Sequence, residues 1–197
     1  MTAAILLAAG GGRRLGQIKP LLTHHGTPLV QRAVTAAREV GCRPIVVVTG
    51  FGESQVLEVL AGQNVLTVSN PRWERGIASS IRTGVAALGP QVGSTRSVLL
   101  LVCDQPALDA SVLGRLLATH DDHADRITAC EYAETCGTPA VFGVSWLDDL
   151  RSLRGDTGAR QIFERAGDRL HRVVWPAGAN DVDCPEDLHH LDAPPDG

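Results

Sequence analysis

Short apolar runs alternate along the chain with segments in which apolar residues recur every three or four positions. The apolar runs predict strands, and the three-to-four spacing predicts amphipathic helices. In the segment 29–40, for example, Val30, Ala33, Val34 and Ala37 share one helical face. The pattern predicts strands at 3–8, 44–49, 65–69, 97–103, 127–131 and 139–142, and helices at 29–40, 53–61, 78–88 and 109–120.

The order of these elements predicts an α/β fold. Strands that alternate with helices pair in parallel through right-handed crossovers, which gives a sheet between two helical layers. The run 97–103, "SVLLLVC", is the most continuous apolar stretch and predicts a central strand buried on both faces. We therefore expect a three-layer αβα, Rossmann-like fold with a mostly parallel central sheet. We also expect one domain over residues 1–192 and a loose C-terminal tail at 193–197.

Composition supports a globular protein and argues against two functional classes, nucleic-acid binders and membrane proteins. The 197 residues are 44% hydrophobic and 20% charged, with a net charge of −4, whereas general nucleic-acid binders usually carry a basic surplus. The sequence has no apolar run of the roughly 18 residues that span a bilayer and no signal-peptide pattern, so we expect a cytoplasmic protein that binds neither nucleic acid nor membrane. Five scattered cysteines without a CxxC pair argue against a disulfide framework and a cysteine zinc site.

Ligands of doubly wound sheets bind beyond the carboxyl ends of the strands. This rule directs attention to the loops at 9–20, 50–53, 70–80 and 104–106. The first loop belongs to the stretch "LAAGGGRRLGQIK", which resembles a P-loop at first sight. Gly11 and Gly16 have the separation that a P-loop requires, but Gln17 and Ile18 stand where lysine and a hydroxyl residue belong. The P-loop motif is therefore absent.

The dinucleotide-binding motif GxGxxG also fails here. Gly10 and Gly12 fit its first two positions, but Leu15 occupies the third. What remains is an irregular cationic loop, in which glycines allow the backbone N–H groups to approach phosphate closely. The fork of Arg14 and the point charge of Lys19 suit a triphosphate. The alternative is a solvated surface loop that happens to contain glycine and arginine.

Several aspartates stand at element boundaries, where metal binding and helix or loop capping compete as explanations. Asp104 directly follows the apolar strand at 97–103, where the sheet opens towards ligands, so its carboxylate is a natural ligand for Mg²⁺. The structural alternative is that Asp104 caps the loop before Pro106. Asp183 precedes a last helix predicted to start at Pro185-Glu186-Asp187, and has an N-cap as its structural alternative. Asp156 is expected to cap a helix that buries Ala159, Ile162 and Phe163.

The stretch from Leu7 to Lys19 resembles the signature LAAGxSxRMGxxK of nucleotidyltransferases that transfer an NMP from an NTP to a phosphorylated acceptor. Five further segments resemble motifs of the molybdenum cofactor cytidylyltransferase branch of the MobA-related NTP transferase family, in the same order. They are "NPRWERGIASSIRTG", "LVCDQP", "GTPAVF", "LRGDTGAR" and "DVDCPEDL". The chain departs from the family pattern at Gly12, Leu15, Ile77, Ala78, Thr157 and Cys184. None of these departures removes a catalytic charge, but they leave the acceptor open.

The resemblance implies a Mg²⁺ site and a set of phosphate ligands. It assigns the metal to Asp104 and to Asp183, with Asp181 as the alternate to Asp183. Lys19 is expected to neutralise the α-phosphate during attack, while Arg14 and the glycine N–H groups hold the departing pyrophosphate. These three charged groups, Lys19, Arg14 and Asp104, are the predicted catalytic residues.

The resemblance also implies the choice of base and the place of the acceptor. The backbone of the L-A-A-G segment contacts the base in the family, and an alanine pair there accompanies cytosine, which favours CTP over GTP. The predicted nucleotide-binding residues are Leu7, Ala8, Ala9, Gly10, Gly12, Arg14, Lys19, Ser79 and Ser80. Serines at a helix start have N-capping as their structural alternative. Arg160 and Trp73 are weaker candidates for the acceptor side.

The leading hypothesis is thus a Mg²⁺-dependent enzyme that transfers CMP from CTP to the terminal phosphate of a molybdopterin-type cofactor, with a molybdenum hydroxylase apoenzyme as a candidate partner. GTP as donor, or a sugar phosphate or phospho-lactate as acceptor, keeps the same chemistry. A non-catalytic molybdenum cofactor carrier or chaperone is the alternative from another class, although it needs no pair of metal carboxylates beside a triphosphate loop. A dinucleotide-dependent oxidoreductase is the third, and the missing third glycine argues against it.

Overall fold

The computed structural model describes residues 1–12, 15–89, 95–156 and 158–191. Its strands are β1 (Thr2–Ala8), β2 (Thr23–His24), β3 (Thr27–Pro28), β4 (Ile45–Thr49), β5 (Leu66–Ser69), β6 (Ser97–Val102), β7 (Ile127–Tyr132), β8 (Thr135–Gly143) and β9 (Leu170–Val174). Its helices are α1 (Leu29–Glu39), α2 (Glu53–Val59), α3 (Ile77–Ala87), α4 (Ala110–His120), α5 (Leu147–Ser152) and α6 (Arg160–Ala166). The predicted tail at 193–197 lies outside the described residues.

Seven strands form the central sheet in the order β5-β4-β1-β6-β8-β7-β9, and β2 pairs with β3 in a separate ribbon. β1 runs parallel to both β4 and β6, and β4 runs parallel to β5. The predicted mostly parallel sheet is confirmed. The strand predicted at the centre, β6, occupies the fourth of the seven positions.

The β7–β8 pair differs from the predicted alternation of strands and helices. Only two residues separate the end of β7 from the start of β8 at Thr135, and these two strands pair antiparallel. Both residues of the connection, Ala133 and Glu134, have positive φ, as in the two-residue turns that match the twist of a hairpin. A two-residue connection can join only antiparallel strands, so β8 runs against its neighbours β6 and β7.

The two faces of the sheet bury separate apolar layers, as the alternation along β1 illustrates. Ala4, Leu6 and Ala8 belong to the core under α1, α2 and α4, whereas Ala3, Ile5 and Leu7 belong to the core under α3, α5 and α6. This confirms the three-layer arrangement. None of the helices in the described part of the chain has the length and apolar character that crossing a bilayer requires.

Sequence reasoning missed α5 and the edge strand β9, which pairs in parallel with β7. It also assigned Asp156 wrongly. The residue before α6 is Ala159, and the Oδ1 atom of Asp156 instead accepts a hydrogen bond from the backbone N–H of Ile77, at the start of α3, over 3.2 Å. An aspartate that precedes one helix in sequence can lie closer in space to the free N–H groups of another helix, as Asp156 does.

A buried histidine at the end of α4 sets a testable pH dependence of stability. His120 is 1% exposed, its Nδ1 lies 3.5 Å from the hydroxyl of Thr128, and its Nε2 has no hydrogen-bond partner among the described residues. Burial lowers the pKa of His120 from 6.5 to about 4, and the charge of Arg126 adds to the effect. The neutral ring is therefore the form that fits the fold.

We expect protonation of His120 to lower the free energy of unfolding by about 3 kcal/mol as the pH drops from about 6.5 to about 4. The sign follows because the unfolded chain takes up the proton first over this range, whereas the folded chain resists it. Urea unfolding of the wild type and of His120→Gln at a series of pH values measures the difference in slope. Parallel pH profiles for the two proteins would contradict the assignment.

Candidate functional site

A cleft of about 400 Å³ opens where β1 and β6 end, at the edge of the sheet that the parallel fold predicts for ligands. Fifteen described residues from five parts of the chain line it. They are Leu7, Ala9, Gly10, Gly11, Gly12 and Lys19; Trp73, Glu74, Gly76, Ile77 and Ser80; Val102 and Asp104; and Asp156 and Asp183. The cleft thus brings together most of the predicted nucleotide-binding and metal-binding residues.

The glycine loop after β1 folds back tightly on itself. The N–H of Gly16 donates to the carbonyl of Gly12 over 2.7 Å, and Gly12 also forms a bridge with Gln17. A Cβ atom on Gly12 would lie 2.6 Å from the carbonyl oxygen of Gln17, so this turn requires glycine where the family pattern has serine. The predicted pyrophosphate ligand Arg14 lies outside the described residues.

Lys19 is the only lysine in the sequence, and the structure places it between two carboxylates. It begins a short 3₁₀ turn, Lys19–Leu21, with Pro20 at its second position. The Nζ atom lies 3.6 Å from Oδ2 of Asp104 and donates a hydrogen bond to Oδ1 of Asp183, and the side chain is 14% exposed. The charged group that the sequence assigns to the α-phosphate therefore lies next to both predicted metal ligands.

Asp183 reaches this position because its segment is tied to the end of β6. The N–H of the buried Val182 donates to the carbonyl of Asp104 over 2.9 Å. A turn follows in which Oδ2 of Asp187 accepts hydrogen bonds from the thiol of Cys184 and from the backbone N–H groups of Asp183 and Cys184. These hydrogen bonds, that of the thiol above all, lower the pKa of Asp187 to about 2. The carboxylate of Asp183 therefore faces Lys19, while Asp187, inside the 3₁₀ segment Pro185–Leu191, reaches back to the N–H of Asp183.

The surroundings of Asp104, Asp181 and Asp183 disfavour the simultaneous ionisation of all three carboxyl groups. Burial raises the pKa of Asp104; the charge of Lys19 opposes the rise, and the charges of Asp181 and Asp183 add to it. Burial and the charge of Asp183 also raise the pKa of Asp181. A cation near these carboxylates would favour their ionised forms.

The two carboxylates facing Lys19, those of Asp104 and Asp183, offer oxygen donors that could hold a metal ion. Asp104 and Asp183 both line the cleft, whereas Asp181 does not. The described residues contain no cluster of three or more metal-ligating side chains. Mg²⁺ commonly takes one or two carboxylates and completes its shell with substrate phosphates and water, so two oxygen donors beside a glycine loop fit that ion.

The two serines at the start of α3, Ser79 and Ser80, have different surroundings. The Oγ of Ser79 donates to the backbone carbonyls of Arg72 and Gly76, at 3.1 and 2.9 Å, and does not line the cleft. Ser80 does line it. Both hydroxyls accept hydrogen bonds from Nδ2 of Asn70, at 2.9 and 3.0 Å. Sequence reasoning missed Asn70, although it directly follows β5 within a loop that the strand-end rule selects.

The remaining predicted residues lie in different places. Trp73 covers the glycine loop, since a Cβ on Gly11 would lie 2.8 Å from its indole, and its ring centroid is 5.7 Å from that of Phe51. Ala8 is buried in β1 outside the cleft lining. Arg160 donates to the hydroxyl of Thr135 over 3.1 Å and lines a separate cavity of about 330 Å³. The structure therefore associates Trp73 with the glycine loop and keeps Arg160 apart from it.

Comparison with known families connects this cleft with nucleotide chemistry. The model of the MobA-like NTP transferase domain matches residues 4–173, which include the glycine loop and Asp104. The chain belongs to this family. Its match to solved structures agrees with the topology: Rv0371c from Mycobacterium tuberculosis H37Rv superimposes with a TM-score of 0.79 and 27% identity, over 96% of each chain. The MobA-like chain thus has the predicted Rossmann-like fold.

Two relatives are similar to the MobA-like chain in sequence. "Nicotine blue oxidoreductase" of Paenarthrobacter nicotinovorans is 31% identical over 199 residues, covering 95% of this chain and 94% of that protein. The "Bifunctional protein GlmU" of Streptomyces griseus is 35% identical over 192 residues, covering 87% of this chain. The MobA-like chain spans only 39% of the length of that GlmU.

Proposed function

We propose that this MobA-like protein is a Mg²⁺-dependent cytidylyltransferase that transfers CMP from CTP to the terminal phosphate of a molybdopterin-type cofactor. The observation that carries the proposal is the position of Lys19 between Asp104 and Asp183, beside the glycine loop. A cation flanked by two carboxylates in a cleft of about 400 Å³ suits in-line transfer at a polyphosphate, where positioning and charge neutralisation supply most of the catalysis.

In the proposed reaction, an oxygen of the acceptor phosphate forms a bond to the α-phosphorus of CTP. The bond from that phosphorus to the bridging oxygen breaks, and pyrophosphate leaves with the electron pair. Lys19 donates hydrogen bonds to the α-phosphate oxygens, where negative charge accumulates. Arg14 and the N–H groups of Gly10 and Gly12 hold the departing pyrophosphate.

The divalent metal is assigned to Asp104 and Asp183. Bound there, Mg²⁺ would supply positive charge to the triphosphate oxygens. The chemistry of the donor set supports this assignment, because Asp104 and Asp183 both offer hard oxygens beside the ammonium of Lys19. A manganese complex of Rv0371c shows that a protein of this fold binds a divalent cation of similar preference.

The choice of CTP is based on Ala8, the last residue of β1, and Ala9, which follows it; the two resemble the alanine pair that accompanies cytosine in the family. Leu7 and Ala9 line the cleft with Ser80. A molybdopterin-type acceptor, with delivery of the product to a molybdenum hydroxylase apoenzyme, follows from the same resemblance. A sugar phosphate or phospho-lactate as acceptor, and GTP as donor, remain the alternatives within the same chemistry.

Pyrophosphate release from each of the four NTPs, with Mg²⁺ and with or without molybdenum-loaded molybdopterin, tests this proposal. We expect release with CTP only when the cofactor is present. Equal turnover of CTP and GTP would overturn the choice of base. Tight binding of CTP with Mg²⁺ but no turnover would overturn the acceptor and redirect the search to other phosphorylated compounds. Absence of nucleotide binding would favour the carrier alternative.

A second candidate function is that of an oxidoreductase. It is favoured by one observation, the oxidoreductase name of the relative that is 31% identical over 95% of this chain. The missing third glycine of the dinucleotide motif argues against it. Oxidation of NADH or NADPH by the purified protein, measured by absorbance in the presence of a quinone-type dye, distinguishes the two. Dye-dependent oxidation that requires no Mg²⁺ would favour the oxidoreductase.

A further inference from the structure

The first turn of α3 is capped by a distant loop. Its own N-cap residue, Gly76, offers no side chain, and the turn contains no acidic residue. The N–H of Ile77 donates to Oδ1 of Asp156 over 3.2 Å, and the N–H of Ala78 donates to the carbonyl of Gly155 over 3.3 Å. The free donors at this helix start are therefore satisfied by the loop between α5 and α6.

This loop is held against α3 by close packing and by a third contact. Gly76 has a φ of +92°, and a Cβ there would lie 2.5 Å from the carbonyl oxygen of Gly155. One turn further along α3, the guanidinium of Arg82 donates to the carbonyl of Leu153. The loop at 153–156 and the first half of α3 thus form one docked unit.

The docked unit faces the nucleotide cleft. Asp156, Gly76, Ile77 and Ser80 all line it, and Ser80 lies in the turn that Asp156 helps to cap. An aspartate or asparagine cap holds a helix start in place, and its loss allows the first turn to fray. Fraying here would displace Ser80, which the cleft presents to a bound nucleotide.

We infer that Asp156 is a positioning residue for nucleotide binding, which acts by capping α3 and thereby holds the serine side of the cleft in place. The inference rests on the proposed function, because it takes an NTP as the ligand of the cleft. It assigns to the loop between α5 and α6 a role on the donor side, in addition to any contact with an acceptor. Asp156 acts through Ile77 and Ser80 and is separate from the phosphate chemistry of Lys19.

Isothermal titration with CTP and Mg²⁺ tests the inference on the full chain. Asp156→Ala removes the acceptor atom and is expected to weaken binding about tenfold, the size of effect that a lost helix cap produces. Asp156→Asn keeps an acceptor oxygen and is expected to bind within about twofold of the wild type. Asp148→Ala, an exposed carboxylate on α5 that pairs only with Arg151 among the described residues, is the matched control.

Steady-state pyrophosphate release then separates positioning from loss of fold. We expect Asp156→Ala to raise KM for the nucleotide about tenfold and to leave kcat within about threefold, since Lys19 and the carboxylates keep their places. Equal affinity in Asp156→Ala and the wild type would overturn the inference alone. Failure of Asp156→Asn to restore affinity would overturn the capping role. A wild type that binds none of the four NTPs would overturn the proposed function, and this inference with it.

Discussion

Replacing Lys19 by alanine is expected to lower kcat for pyrophosphate release by about a hundredfold or more. A single hydrogen-bond donor aimed at the charge of a transition state contributes roughly 3 to 4 kcal/mol in enzymes, which corresponds to this loss in rate. In this cleft Lys19 is the described cation nearest to the predicted metal ligands, at 3.6 Å from Asp104 and hydrogen-bonded to Asp183. Turnover within threefold of the wild type would refute its role.

The same variant is expected to bind Mn²⁺ more tightly than the wild type when no nucleotide is present. The ammonium of Lys19 and a divalent cation require the same oxygens of Asp104 and Asp183, so they compete until a triphosphate draws Lys19 away. Titration of free Mn²⁺ by electron paramagnetic resonance measures this affinity without relying on activity. Lys19→Arg is the control, since it keeps the charge near the carboxylates but replaces a point charge by a planar fork.

A lone lysine makes an independent measurement simple. Reductive methylation of this chain can modify only Lys19 and the N-terminal amine. Protection of the lysine by CTP with Mg²⁺, and loss of protection without Mg²⁺, is expected if the ammonium moves from the carboxylates to the phosphate. Equal methylation under both conditions would contradict that exchange of partners.

Much of this site follows from sequence because buried parallel strands leave a clear apolar pattern. The run that became β6 is continuous and apolar, so Asp104 could be assigned to the carboxyl edge of the sheet from its position alone. The glycines and cations between Gly10 and Lys19 follow the first strand by the same logic. Local patterns thus place residues that stand directly at strand ends.

Residues whose position depends on distant partners could not be predicted in this way. The cap of Asp156 on Ile77 joins residues 79 positions apart, and only tertiary packing brings them together. The hairpin at Ala133 and Glu134 was missed since neither residue is typical of turns with positive φ. β9 was missed because its pattern is only partly buried at the sheet edge, which weakens the alternation that marks a strand.

Replacing Asp104 by asparagine is expected to lower kcat by about a thousandfold, and Asp183→Asn by at least about a hundredfold, because each loses a charged ligand for the metal that neutralises the triphosphate. Asp181→Asn is the matched control, because Asp181 lies outside the cleft lining, and it should retain most activity.

Burial and the neighbouring carboxylates raise the pKa of Asp104, so the fold disfavours the negative charge of Asp104. A neutral amide there should therefore leave Tm unchanged or higher while activity and Mn²⁺ binding are lost. Thermal melting, Mn²⁺ titration and kcat of the three variants test the expected stability and the expected loss of function. A large loss of activity in Asp181→Asn, with Asp183→Asn still active, would move the second metal ligand to Asp181.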